Sequence, residues 1–145
     1  MAQQTVHHHG ISVTDLDRAI EFYRDVLGLE LLDQYTLSDD ALSTAIGSGA
    51  ITGHFAQLGG ETARVELIEY ESKEREKTEA SDTHDQDVYE TGAIHLGLET
   101  NDIEGFYADL PDDVETISEP QMTGSGTRIC FLRDPDGNAV ELLQL

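Results

Sequence analysis

Two histidines and two glutamates occupy repeated positions in this sequence, and together they offer the donor set of a metal centre. His8-His9-Gly10-Ile11-Ser12-Val13-Thr14-Asp15-Leu16 aligns with His95-Leu96-Gly97-Leu98-Glu99-Thr100-Asn101-Asp102-Ile103. Histidine, glycine, an aliphatic residue, and an aspartate followed by an aliphatic residue coincide at one constant offset. Val65-Glu66-Leu67-Ile68 aligns with Val140-Glu141-Leu142-Leu143 at a shorter one. Each half therefore opens on a histidine and closes on a glutamate, and the second half has the shorter loops. A carboxylate inside an apolar strand is costly unless it is paired, protonated or bound to a metal. If the two halves pack about a pseudo-twofold axis, His8, His95, Glu66 and Glu141 share one cleft. Such a mixed nitrogen and oxygen set suits a divalent transition metal.

Taken singly, these residues have plainer readings. A lone strand histidine is ordinarily structural, a lone strand glutamate ordinarily faces solvent, and His7-His8-His9 looks like part of a purification tag. Repetition answers the last objection, because a tag has no reason to reappear as His95 with the same glycine and aspartate behind it. Spacing to the shared glycine selects His8 from the triplet, and strand alternation sends His7 and His9 to the opposite face. His54 and His84 have no repeat partner, and His84 falls in a polar stretch that reads as solvated.

The elements that must position these residues follow from periodicity. Residues 4–13 read as a strand, and Thr14 or Asp15 offers an N-cap. Leu16, Ala19, Ile20, Tyr23, Val26 and Leu27 recur at helical spacing, and Gly28 supplies the stop. Leu29–Leu37 reads as a second strand. Ser38 caps a short helix over Asp39–Ile46, and the Gly47-Ser48-Gly49 cluster ends it. Residues 53–58 and 62–70 form a hairpin around Gly59-Gly60. The second half repeats the order: a strand over 92–100, a helix over 103–110 stopped by Pro111, then strands over 114–119, 127–133 and 139–145. Asp134-Pro135-Asp136-Gly137-Asn138 is a strong turn signal between the last two. The expected layout is α+β, two tandem βαβββ modules (4–70 and 92–145) in one domain over 1–145. Residues 71–91 between them are polar, read as a solvated linker with a short surface helix as the alternative.

Composition bounds the function. The chain has 145 residues, with 30 Asp and Glu against 8 Lys and Arg and a formal net charge of −22. That balance argues against nucleic acid and against an anionic membrane surface as partners. No stretch reads as a membrane span or as a signal peptide. The single cysteine, Cys130, permits no intrachain disulfide and fits a reducing cytoplasm. Disorder, a basic partner and adaptation to high salt could each explain the acidity. The apolar periodicity disfavours the first, and the presence of only two lysines, Lys73 and Lys77, favours the third.

The segments "HHGISVTDLDRAIEFYRDVLGLELL", "VELIEY", "IHLGLETNDIEGFYADL" and "FLRDPDGNAVELLQL" resemble the vicinal oxygen chelate superfamily. That group includes glyoxalase I, bleomycin-resistance proteins, extradiol dioxygenases and methylmalonyl-CoA epimerase. The resemblance implies metal ligands at His8, Glu66, His95 and Glu141, a set similar to that of bacterial-type glyoxalase I. The implied metal is nickel, cobalt, zinc, manganese or iron. Extradiol dioxygenases usually have no carboxylate at the position of Glu66, and bleomycin-type binders lack the set, so Glu66 tips the reading towards a lyase or isomerase. By resemblance Glu141 is the catalytic base, with Glu66 its counterpart. The resemblance also implies a small-molecule substrate and a homodimer. Glyoxalase I commonly has an arginine where this chain has Ser12, and an asparagine where it has Glu69-Tyr70. Both hold glutathione in that family. The competing functions are ring cleavage of a catechol with ferrous iron, metal-free sequestration of a drug or metabolite, and a degenerate member with a closed structural metal site.

Overall fold

Within each half, the first strand pairs with the last. In this computed structural model, which describes residues 3–60, 62–72 and 86–145, the chain divides into two compact units, Met1–Ala80 and Ser81–Leu145. The first contains β1 (His8–Ser12), α1 (Leu16–Glu21), a π-helical turn (Phe22–Val26), β2 (Glu30–Leu37), α2 (Asp40–Ala45), β3 (Ile51–Gly59) and β4 (Arg64–Ser72). The second contains β5 (His95–Glu99), α3 (Ile103–Ala108), β6 (Gln121–Met122), β7 (Arg128–Arg133) and β8 (Ala139–Gln144). The sheets are ordered β1-β4-β3-β2 and β5-β8-β7-β6. In each, the first-to-last pairing is parallel and the other pairings are antiparallel. This is the α+β architecture of two tandem βαβββ modules, with α2 as a short addition to the first.

One face of each sheet is covered by its helix. In the first unit Leu16, Ala19, Ile20 and Tyr23 bury against Ile11, Leu58, Val65 and Leu67, with Tyr23, Leu58 and Leu67 fully enclosed. In the second, Ile103, Cys130, Leu132, Val140 and Leu142 form the equivalent core. The repeat extends to the bonds that seat the helices. Asp15 accepts from the Arg18 amide at 3.0 Å, and Asp102 accepts from the Gly105 amide at 2.9 Å, each as an N-cap. The carboxylate of Glu69 accepts from the Leu16 amide at 2.8 Å, and the side-chain carbonyl of Gln144 accepts from the Ile103 amide at 2.9 Å. Each last strand thus ties down the start of the helix that follows the first strand, satisfying a donor with no partner inside the helix.

Several elements differ from the sequence expectation, each for a local reason. The first strand is confined to His8–Ser12, the part that finds β4 as a partner. Between the two N-cap candidates Asp15 takes the role, and α2 is capped by Asp39, whose carboxylate accepts from the Leu42 amide at 2.8 Å, rather than by Ser38. The helix expected to run to Leu27 widens after Glu21, where the Leu27 amide donates to Phe22 five residues back. That wider turn lets the adjacent Phe22 and Tyr23 both bury, in edge-to-face contact at 5.3 Å. Gly28, with φ of 78°, then ends it as expected. The strand expected over 114–119 reduces to a single bridge between Thr116 and Leu132, and the true edge strand is Gln121–Met122. Pro120 separates the two pieces and has no amide proton to give to a ladder. The helix over 103–110 stops at Ala108, and the segment assigned to the linker begins inside β4, which runs to Ser72. His84 lies outside the described residues.

The Asp134–Asn138 connection closes the β7–β8 hairpin as the sequence signal required. One Asp134 oxygen accepts from the amides of Asp136 and Asn138 at 2.9 and 2.8 Å, and the other accepts from the Asn138 side chain at 2.9 Å. Gly137 supplies the positive φ of 84°. Asp134 and Asp136 are both buried. Asp134→Ala leaves three donors without this acceptor and is expected to cost about 2 kcal/mol. Urea titration checks this: the midpoint falls while the slope stays unchanged.

Candidate metal centre

Strand register decides which side chains meet. In the first unit Gly10 lies opposite Glu66 across the parallel β1–β4 pair, and His8, two residues earlier, shares its face. In the second unit Gly97 lies opposite Glu141, and His95 stands two residues before it. The two arrangements are the same construction made twice. Each glycine leaves room on the open face of its sheet: a Cβ at Gly97 would stand 3.8 Å from a Glu141 oxygen, and one at Gly10 would stand 3.9 Å from the His8 ring.

The structure brings each histidine to its glutamate. His8 Nε2 is 3.6 Å from Glu66 Oε1, and His95 Nε2 is 3.2 Å from Glu141 Oε2. Both histidine side chains are more than a third exposed (38% and 40%), so both rings are accessible from solvent. The carboxylates differ. Glu66 is buried, as expected, whereas Glu141 is only half-buried; among the described residues the other buried acids are Asp134 and Asp136 in the turn. Gln57 of β3 and Tyr35 of β2 both close on Glu66, whereas the residue across the hairpin from Glu141 is Phe131, which has no hydrogen bond to give it. His7, expected on the opposite face, precedes the strand and instead lies edge-on to His8, their Nδ1 atoms 2.9 Å apart. That contact orients the His8 ring with Nε2 towards Glu66.

Around Glu66 is a network that sequence reasoning missed. Glu66 Oε2 accepts from Gln57 Nε2 at 3.0 Å and from the Tyr35 hydroxyl at 3.3 Å. Gln57 Nε2 also approaches the Tyr35 oxygen at 3.3 Å, and Arg64 donates to Gln57 Oε1 at 2.8 Å. Tyr35 stacks on Phe55 at 4.9 Å with the rings nearly parallel, and Tyr70 meets Phe55 edge-on. Burial, and after it the charge of Glu66, raises the pKa of both Tyr35 and Tyr70. Their phenols therefore stay neutral, and Tyr35 stays a donor. Beyond Tyr70, with Ile51 and Ser72 on the same sheet face as Glu66, an open cavity of ≈ 500 Å³ runs under Ile46–Gly49. In the second unit the ring of His95 packs edge-on to Phe131 at 5.2 Å.

Three residues singled out by sequence fall away from this face. Glu69, at the position where glyoxalase I offers an asparagine region, points to the helix side and holds Leu16. Cys130 is buried on the helix side of its sheet, and burial raises its thiol pKa, so it is neither a ligand nor a nucleophile here. His54 pairs with Glu71 at 3.4 Å and Thr36 at 3.0 Å, among residues that alternate away from Glu66.

The donor chemistry fits a divalent transition metal: in each pair an imidazole nitrogen and a carboxylate oxygen face one another beside a glycine. Among the described residues, no third histidine, cysteine or acid joins either pair within its own unit. Each unit thus presents one histidine–glutamate pair.

Comparison with known proteins follows the same outline. Residues 5–142 match the model of the Glyoxalase/Bleomycin resistance protein/Dioxygenase superfamily. A lactoylglutathione lyase of Arabidopsis thaliana is 31% identical over 135 residues, covering 91% of this chain but 41% of that protein, so this chain spans about two fifths of its length. A 2-epi-5-epi-valiolone epimerase from an Actinomyces species is 27% identical over 152 residues, covering 97% of this chain and 79% of that one. The crystal structure of a glyoxalase family protein from Bacillus cereus superposes with a TM-score of 0.82 at 21% identity, covering 99% of this chain and 97% of that one, and shares its fold. A match spanning both histidines and both glutamates, on a fold that repeats the same strand pairings, places this chain in the glyoxalase/bleomycin resistance protein/dioxygenase superfamily.

Proposed function

We propose that this protein is a metal-dependent lyase or isomerase of the glyoxalase I type, moving a proton between adjacent carbons of an α-hydroxycarbonyl or thiohemiacetal. The observation that carries the reading is the paired construction of His8 with Glu66 and His95 with Glu141. By the resemblance, His8, Glu66, His95 and Glu141 would be the ligands of a divalent ion, contributed by units of one chain or of two. When bound, the ion supplies Lewis-acid chemistry, polarising two adjacent substrate oxygens so that the neighbouring C–H proton is more easily lost. Glu141 takes that proton from the carbon beside the carbonyl and returns it to the adjacent carbon, so substrate and product are isomers. His8 and His95 keep their Nε2 atoms towards the site, and the Tyr35–Phe55–Tyr70 wall with the cavity beyond it receives the rest of the substrate.

The similarity to an epimerase supports the same step on a different substrate. Epimerisation also removes and returns a proton at one carbon, so a hydroxyketone without a thiol adduct falls within the proposed class. Ser12 and Glu69 stand where glyoxalase I holds glutathione, and Glu69 is engaged on the helix side, which favours a substrate other than the glutathione adduct. Ring-cleaving oxygenation is disfavoured by a second carboxylate already seated beside its histidine.

Metal analysis of untagged protein tests the ligand set. We expect about one ion per chain, and essentially none after His8→Ala with Glu66→Gln. Two ions per chain, falling to one in that variant, would show that the pairs act separately. Turnover is to be assayed with methylglyoxal–thiol adducts, α-hydroxyketones and catechols, with and without oxygen. Oxygen-independent isomerisation supports the reading, and activity of the metal-free protein overturns it.

Glu141→Gln tests the base. Turnover should fall by on the order of 10²- to 10⁴-fold while metal is retained. Full activity with metal bound would remove Glu141 from that role.

A further inference from the structure

The two carboxylates are equivalent in the repeat, yet their surroundings are not. Across the antiparallel hairpin of each unit, Glu66 faces Gln57 and Glu141 faces Phe131. Gln57 is buried, and its orientation is forced from behind. A guanidinium can only donate, so the Arg64 contact requires the Gln57 carbonyl oxygen on its side. The amide nitrogen is thereby turned to Glu66 Oε2, where it joins the Tyr35 hydroxyl. With Oε2 held by two donors, Oε1 is the oxygen left facing His8. Rotating Glu66 would break both bonds inside a buried site.

Phe131 offers Glu141 no donor. Among the described residues of its unit, Glu141 has one hydrogen-bond partner, His95, and its side chain is about twice as exposed as that of Glu66 (20% against 11%). It can leave His95 and turn without leaving a second donor unpaired.

We propose that Gln57, oriented by Arg64 and assisted by Tyr35, is a positioning residue that makes Glu66 the fixed carboxylate of the centre and leaves Glu141 as the one that moves. The inference rests on the proposed metal-dependent reading, and it explains how two ligands of one type divide into an anchor and a base. A base that is also a ligand must loosen its hold to accept a proton, and Glu141 is the carboxylate free to do so. Gln57 acts through Glu66 and does not touch the reacting atoms.

The test uses cobalt(II) as the probe on full-length protein. Its affinity is measured by competition with a chromophoric chelator, and its visible absorption reports the ligand field. Gln57→Leu is expected to weaken cobalt binding by roughly 10- to 100-fold, the range for lost outer-shell support of a ligand. Tyr35→Phe, which removes only a hydroxyl and guards against misfolding of the leucine variant, should weaken it by less. Both should alter the cobalt spectrum. In a Glu66→Gln background the effect of Gln57→Leu should largely vanish, and in a Glu141→Gln background it should persist in full. Equal effects in both backgrounds, or wild-type cobalt affinity in both single variants, would overturn the positioning role while leaving the metal reading intact. Wild-type protein that takes up no cobalt would overturn the metal reading, and this inference with it.

Discussion

Parallel strands cannot be joined by a tight turn, so a chain that pairs its first strand with its last must place everything else between them. In both units of this protein that constraint is met in the same way. A helix follows the first strand, antiparallel strands return, and the final strand slides in beside the first. The pairing register then places a glycine opposite a glutamate, with a histidine two residues earlier on the same face. Were the register to slip by one residue, the histidine and glutamate would point to opposite faces of the sheet. The tie from Glu69 to Leu16, and its counterpart from Gln144 to Ile103, fixes the register a second time by holding the last strand to the helix.

On this repeated frame the chemistry is unequal. A carboxylate set into a β-sheet needs partners for its oxygens, and the two glutamates find different ones. Glu66 is held by Gln57 and Tyr35 under an aromatic stack, in the unit that also has the added helix α2 and the cavity beside it. Glu141 stands beside an apolar ring and remains more open. Duplication supplies matching backbones, and the cross-strand neighbours then set the tasks. Glu66 is held by two donors besides His8, and Glu141 has His95 as its hydrogen-bond partner among the described residues of its unit.

Much of this was legible in the sequence because it is written in short contiguous words. The motifs around Gly10 and Gly97, and around Glu66 and Glu141, state the strand ends and the candidate ligands, and Asp134–Asn138 states its turn. The Gln57 network was not legible, because it depends on which residue faces which across a hairpin. The β3–β4 connection is one residue shorter than that between β7 and β8. A constant offset from the last strand therefore matches Gln57 to Leu132, and its true counterpart Phe131 is missed. The strand expected over 114–119 failed for a related reason: alternation was present, but Pro120 limits where the ladder can form. The burial of Glu141 was overestimated because an apolar strand implies an enclosed carboxylate only where the neighbouring strands bring donors to it, as Gln57 and Tyr35 do for Glu66 and Phe131 does not for Glu141.

The parallel closure also dictates an order of assembly. His8–Ser12 is made before any other strand of its sheet, yet it pairs only with Arg64–Ser72, the last strand of that sheet to be synthesised. The β3–β4 hairpin is local and can form early, whereas β1 must wait for it, a non-local contact of the kind that slows folding. Until then β1 is an unpaired edge, able to join the wrong strand or another chain. Dense negative charge opposes the second outcome by keeping nascent chains apart. The acidic coat thus has a bearing on assembly as well as on solubility, since it guards the interval in which the first strand is complete but has no partner.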